Sequence, residues 1–216
     1  LGMTGAGKTT FASLASGRTD LEIGNTLKSC TQETQVVRFE LDDYTIVLVD
    51  TPGFDDDTRS DIDILRIITE GLSNKGLGSQ QQRLDGLILL HPITSTRIGG
   101  NERKRTRLLE AILGEHAYKR VIIATTMWDD LRNDDNKFSY RMEGRTEKGE
   151  VWHEMSSKGA TITRHYNNPE SAHKIIRDII QKSLAENGGV ELQLQRELAD
   201  GKGRMGRTTV GTQVRK

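Results

Sequence analysis

The chain has 216 residues, with 31 Lys and Arg against 31 Asp and Glu for a formal net charge of +0, and one cysteine. That length holds one domain with a substantial core. The balanced charge excludes any global pull toward nucleic acid, and the lone Cys30 excludes an internal disulfide framework and suits a reducing, cytoplasmic setting. The longest apolar runs, TIVLV (45–49), LILL (87–90) and VIIA (121–124), are too short to cross a bilayer. No charged-then-apolar leader opens the chain. Its first residue is Leu1 rather than methionine, so the natural start is expected upstream, which leaves targeting and a peripheral membrane contact open.

In chain order, the opening LGMTGAGKTTFASLAS fits the pattern G-x-x-x-x-G-K-S/T through Gly2, Gly7, Lys8 and Thr9. Glycines let the backbone curl so that successive NH groups, over Gly2, Thr4, Gly5, Ala6 and Gly7, point inward at a phosphate. Lys8 adds a full positive charge, Thr9 offers a hydroxyl to a magnesium ion, and Thr10 to Ala15 read as a helix whose amino end faces the same anion. The polar segment GNTLKSCTQET (24–34) is the expected site of a threonine that closes on the magnesium when a terminal phosphate is present. Thr31 is the first choice, with Thr26 and Thr34 as rivals.

Strands are expected at 35–40 and 44–49, the second running straight into DTPG. A carboxylate at Asp50 can hold a magnesium-bound water, and the NH of Gly53 can meet the terminal phosphate. A phosphate loop followed by DTPG is the signature of guanine-nucleotide hydrolases. A helix is expected over about 58–73, from Ile62, Leu65, Ile68 and Leu72, then a strand at 85–91. After it comes HPITSTR, with His91 and Arg97. A further helix begins after Asn101 and buries Leu108, Leu109, Ile112 and Leu113. The strand at 120–125 leads into TTMWDD, where Thr126 and Asp129 align with the base-reading motif N/T-K-x-D, and Asp130 is the competing register. An Asp there accepts two hydrogen bonds from guanine, whereas adenine shows no matching pair of donors. Met127 stands in place of the lysine that would lie along the purine.

RNDDNK reads as a loop and 140–155 as a helix. In SSKGATI (156–162) the small residues Gly159 and Ala160 are expected to present NH groups to the guanine oxygen. A strand at 160–164 precedes a helix begun by Asn168 and Pro169, carrying Ala172, Ile175, Ile176, Ile179 and Ile180 on one face. The division expected is a nucleotide-binding domain over 1–185, a helix within 186–200, and a disordered basic tail from 201, whose five basic residues meet no acid. Strands alternating with helices predict an α/β fold, a mostly parallel sheet covered on both faces.

Together GMTGAGKTTF, SCTQET, DTPGFDDD and TTMWDD resemble the septin-related branch of P-loop GTPases, nearest the AIG-type immunity-associated group and its fungal relatives, with chloroplast import-receptor GTPases close by. The likeness spans about residues 1–185. It implies a three-layer G domain on a six-stranded sheet that binds GTP or GDP with Mg2+ and can form a homodimer across the nucleotide face. It also places the phosphate loop after a central first strand, of which only Leu1 is present, so this length of chain is expected to fold poorly by itself. Lys8, Thr9, Thr31, Asp50, Gly53 and Asp129 take in the family the roles argued above, with Thr9, Thr31 and Asp50 about the metal.

Where small GTPases carry a glutamine that orients the attacking water, this chain has Phe54, which predicts slow unaided hydrolysis. Arg97 could supply charge across a dimer face, or His91 could position water. A nucleotide-controlled switch with weak hydrolysis is therefore the first reading. A binding-only scaffold and an ATP-using enzyme are the alternatives.

Overall fold

The computed structural model describes residues 1–21, 34–53, 63, 67, 83–94, 100–128, 144–201 and 204–214. Strands β1 (Gln35–Leu41) and β2 (Tyr44–Asp50) form an antiparallel pair, while β3 (Leu87–Pro92), β4 (Val121–Thr126) and β5 (Thr161–Arg164) form a parallel sheet in that spatial order. The five expected strands are present within two residues of their bounds. Helix α1 (Lys8–Ser16) follows the phosphate loop, and α2 (Gly100–Leu113) crosses from β3 toward β4. Next come α3 (His153–Ser157), α4 (Pro169–Ala185), α5 (Gln193–Asp200) and α6 (Thr209–Val214).

β4 shows why the sheet needs cover on both faces. All six of its residues are buried, and they alternate: Ile122 and Ala124 pack with Phe11, Ala15, Ala172 and Ile175, while Val121 and Ile123 pack with Leu108, Ile112 and Trp152. Period-two alternation thus sends one set of side chains to α1 and α4 and the other to α2, with α3, α5 and α6 beyond it. This is the three-layer α/β arrangement expected. The α4 cap is as its sequence reads, with the Asn168 side chain accepting from the Ser171 NH at 2.8 Å and Pro169 in the first turn. Fully burying each of Ile175 and Ile176 contributes about 1.5–3 kcal/mol.

Two expectations are corrected. The helix over 140–155 is interrupted in its described part: residues 144–146 are helical, a turn follows about Gly149, whose φ of 86° breaks a right-handed helix, and the short α3 then begins. Val151, Trp152 and Met155 anchor this segment in the core, and a polar contact joins them: the buried Arg145 donates to Glu102 on α2 at 3.1 Å and lies over the Trp152 ring. In place of a disordered tail, the chain after 201 has a 3-10 turn Met205–Arg207 and α6, because Val210 is fully buried against the α2 layer and Thr209 donates to Glu197. The helix expected within 186–200 is present as α5, which starts at Gln193 after Val190 exchanges backbone hydrogen bonds of 2.8 Å with Leu84. The helix over 58–73 and the loop at 132–137 fall outside the described residues, apart from Asp63 and Ile67.

Among the described residues the two sheets are not joined into one ladder. Leu1 and Gly2 run parallel to β3, with the Leu90 NH donating to the Leu1 carbonyl at 2.8 Å. Beyond them a cavity of about 490 Å³ separates residues 44–51 from residues 83–88 and is floored by Phe11, Ile176 and Ile179.

Candidate nucleotide site

Ligands of parallel sheets bind at the carboxyl ends of the strands. Here that edge gathers the loop over Gly2 to Gly7, the end of β2 at Asp50, and the end of β4 at Thr126. The loop turns through an Ala6 NH to Met3 carbonyl bond of 3.1 Å and enters α1 at Gly7. The Thr126 hydroxyl donates to the Ala6 carbonyl at 3.1 Å and so ties β4 to the loop. Thr10 lies in the first turn of α1.

Lys8 and Thr9 leave this turn toward β2. Lys8 Nζ donates to the Met3 carbonyl at 2.7 Å, and Thr9 Oγ1 donates to Asp50 Oδ2 at 2.7 Å. Burial pushes the Lys8 ammonium down to about 8, opposed by the nearby Asp50 carboxylate. An ammonium held in so dry a place is a strong partner for an anion. Thr9 and Asp50 are both hard oxygen donors on facing elements, which is the donor chemistry Mg2+ takes. Gly53 closes the corner: a Cβ there would stand 2.4 Å from the Thr4 nitrogen, so only glycine lets the loop after β2 approach this closely.

At the other end, β4 leads through Met127, which has a φ of 62°, into Trp128, whose indole NH bonds to Thr125. The Arg164 guanidinium lies 4.2 Å over that indole, and the Thr94 hydroxyl reaches the Met127 sulfur at 3.8 Å. His165, just past β5, donates its backbone NH to Thr125 and makes a ring contact with the Ser171 hydroxyl at 2.8 Å.

Of the sequence-derived residues, the structure brings together Gly2, Thr4, Gly5, Ala6, Gly7, Lys8, Thr9, Thr10, Asp50, Gly53 and Thr126. Thr31, Arg97 and Asp129 lie outside the described residues, as do Phe54 and Thr26. Gly159 and Ala160 are not at this edge. They precede β5, which runs parallel to β4, so they sit at the opposite end of the sheet. There the Gly159 carbonyl accepts from Lys182, and a Cβ on Gly159 would lie 2.9 Å from the Lys119 Cγ. His91 turns away as well. Its ring meets Trp152 edge-on at 4.9 Å and stands 3.8 Å from Glu102, within the α2 layer. Burial, with Arg145 and Arg105 nearby, lowers it to about 3, so it is neutral. The residues missed by reading the sequence are Arg164 and His165. The signal for them was positional: they end a parallel strand at the ligand edge, which SSKGATI does not.

With that geometry in hand, the 50S ribosome-binding GTPase family model matches residues 1–127, covering the loop, β1 to β4 and their crossings. The chain belongs to this GTPase family. Solved structures with a similar fold include Toc33 from Arabidopsis thaliana in a dimerization-deficient mutant form. That structure has a TM-score of 0.68 and 12% identity over 89% of this chain and 85% of that one. Toc33 in complex with GDP and Mg2+ gives 0.64 and 14% over 89% and 85%. Toc33 with Mg2+ and GMPPNP gives 0.62 and 14% over 87% and 82%. At such identities the likeness is one of fold.

Proposed function

We propose that this GTPase binds GTP and GDP with Mg2+ and hydrolyses GTP slowly, as a nucleotide-controlled switch whose turnover rises on pairing with a second copy. The observation that carries the reading is the Lys8, Thr9 and Asp50 knot at the strand edge, closed by Gly53. Lys8 would hold the phosphates, while Thr9 and Asp50, with Thr31, would hold the metal. Magnesium held there would supply compensation for the charge on the phosphates. Water attacks the terminal phosphorus, the bond to the bridging oxygen breaks, and GDP leaves. Asp129 would select guanine.

Dimer activation draws support from the fold neighbours, since dimerization is stated to be important for the GTPase activity of the chloroplast translocon components atToc33 and psToc159. Arg97 is then the residue offered to the partner's nucleotide, compensating for Phe54. Kinship with the AIG-type group and a cytoplasmic setting belong to the same proposal. A binding-only scaffold is favoured by one feature, the apolar Phe54 and Met127 where a water-orienting residue and a purine-facing lysine would stand.

The test is a titration of labelled GTP and ATP with magnesium, followed by phosphate release at rising protein concentration. Preference for GTP with release per molecule that climbs with concentration is the expected result. Tight GTP binding without release at any concentration would establish the scaffold instead, and equal affinity for ATP would remove the guanine reading.

A further inference from the structure

Two hydroxyls at the phosphate end are shut off from solvent and make no hydrogen bond among the described residues: Thr4 Oγ1 and Thr51 Oγ1. A buried polar atom without a partner is destabilising, and one kept in a native structure calls for an explanation such as a ligand atom. Thr51 is 5% exposed, on the loop that follows β2. Thr4 belongs to the phosphate loop and faces that same segment. A Cβ built on Gly53 would come within 2.6 Å of the Thr4 hydroxyl oxygen and 2.4 Å of its backbone nitrogen. The Thr4 hydroxyl therefore lies at the seam between the two loops.

Other polar side chains of this corner are committed. Lys8 is held by the Met3 carbonyl, Thr9 by Asp50, and Thr126 by the Ala6 carbonyl. The residue after Gly53 is Phe54, which has no polar side-chain atom. A hydroxyl suits this place. It donates one hydrogen bond and adds no charge to a corner that already has an ammonium and, on the GTP reading, would hold a metal.

We propose that the Thr4 hydroxyl reads the terminal phosphate of GTP, donating to a nonbridging oxygen that GDP does not possess. The inference rests on the GTP reading above and deepens it by naming what distinguishes the two nucleotide states. With the Gly53 NH on the other side of the seam, one phosphate oxygen would be gripped by both loops. Its release after hydrolysis would then free the segment after β2, which is how a two-state loop is biased by one phosphate.

The experiment compares wild type, Thr4→Val and Thr4→Ser. Valine keeps the branched shape and removes the donor; serine keeps the donor. Affinities for GDP and for GMPPNP are measured with magnesium, beside the melting temperature without nucleotide. Thr4→Val is expected to lose roughly 10-fold in GMPPNP affinity while GDP stays within about twofold, and to melt no lower than wild type because an unpartnered buried hydroxyl is gone. Thr4→Ser is expected to keep the wild-type ratio. A Thr4→Val ratio of GMPPNP to GDP affinity that matches wild type would overturn the proposal. So would an equal loss for both nucleotides, which marks a structural role. Wild-type protein that binds neither nucleotide would overturn the GTP reading and this inference together, whereas binding with an unmoved ratio removes only Thr4.

Discussion

At the phosphate end, residues 2 to 9 and 50 to 53 meet in one hydrogen-bonded knot, with Lys8, Thr9 and Asp50 each held at 2.7 Å. At the base end, residues from the ends of β3, β4 and β5 meet instead, and their contacts are a guanidinium over an indole, a sulfur against a hydroxyl and a ring against a serine. The first region draws on two short stretches in which each residue's role follows from its neighbours. The second is assembled from three separate stretches, and no one of them contains the pattern. Charge and backbone donors therefore dominate one end and packing the other. Substitutions at the two ends should differ in size and in what they change.

The largest effect is expected at Lys8. Lys8→Ala removes the buried ammonium, and hydrogen bonds to charged groups contribute about 1.5–3 kcal/mol, so nucleotide affinity should fall by roughly 10- to 100-fold. GTP and GDP should fall alike in a fluorescence titration, since the ammonium serves both. Affinity retained within threefold would break the comparison by showing that the phosphate knot is not where binding energy lies. Gly53→Ala comes next. Its methyl would stand 2.4 Å from the Thr4 nitrogen and 2.6 Å from the Thr4 Cα, which are backbone atoms that cannot swing aside. Displacement on this scale costs roughly 10- to 100-fold in turnover. Single-turnover phosphate release should drop while GDP affinity changes little.

The acid-base state of Lys8 gives a smaller, graded effect. In the folded chain it titrates at about 8, against 10.5 for an ordinary lysine. Between those values the unfolded chain holds a proton that the folded one has lost, so stability without nucleotide should rise with pH through that window and be flat, for this group, below it. Nucleotide binding has the opposite sign. Phosphates favour the charged ammonium, so binding above pH 8 requires proton uptake, and affinity should fall by up to about tenfold per pH unit there. Calorimetry in buffers of different ionisation enthalpy reads the uptake directly. No proton uptake at pH 9 would mean that the ammonium is already charged in the free protein.

These contrasts explain which parts of the molecule could be read from its sequence. The strands and α4 could be, because apolar runs and an Asn-Pro cap are local signals that burial reinforces. Lys8, Thr9, Asp50 and Gly53 could be, because their spacing is itself the chemistry. α6 was hidden: it lies in a glycine-rich, basic stretch from residue 201, and the tertiary burial of Val210 and the Glu197 bonds to Thr209 order it. Gly159 and Ala160 misled for a topological reason. Small residues beside a strand look alike at its two ends, and which end faces the ligand follows from the strand's direction, not from its composition.

Gly159 therefore offers the smallest expected effect on nucleotide and the sharpest check on that lesson. Its φ is 106°, a conformation that alanine adopts only with strain, and the added methyl would press on the Lys119 Cγ at 2.9 Å, a flexible stem that can yield. Gly159→Ala should cost roughly 1–2 kcal/mol of stability, seen as a melting temperature lower by about 2–8 °C. Its nucleotide affinity and its preference for GTP over ATP should stay within twofold of wild type, since the residue lies at the end of the sheet away from the phosphate loop. If instead guanine preference collapsed while the melting temperature held, the loop before β5 would have to reach the base after all. The base end would then be built from both edges of the sheet.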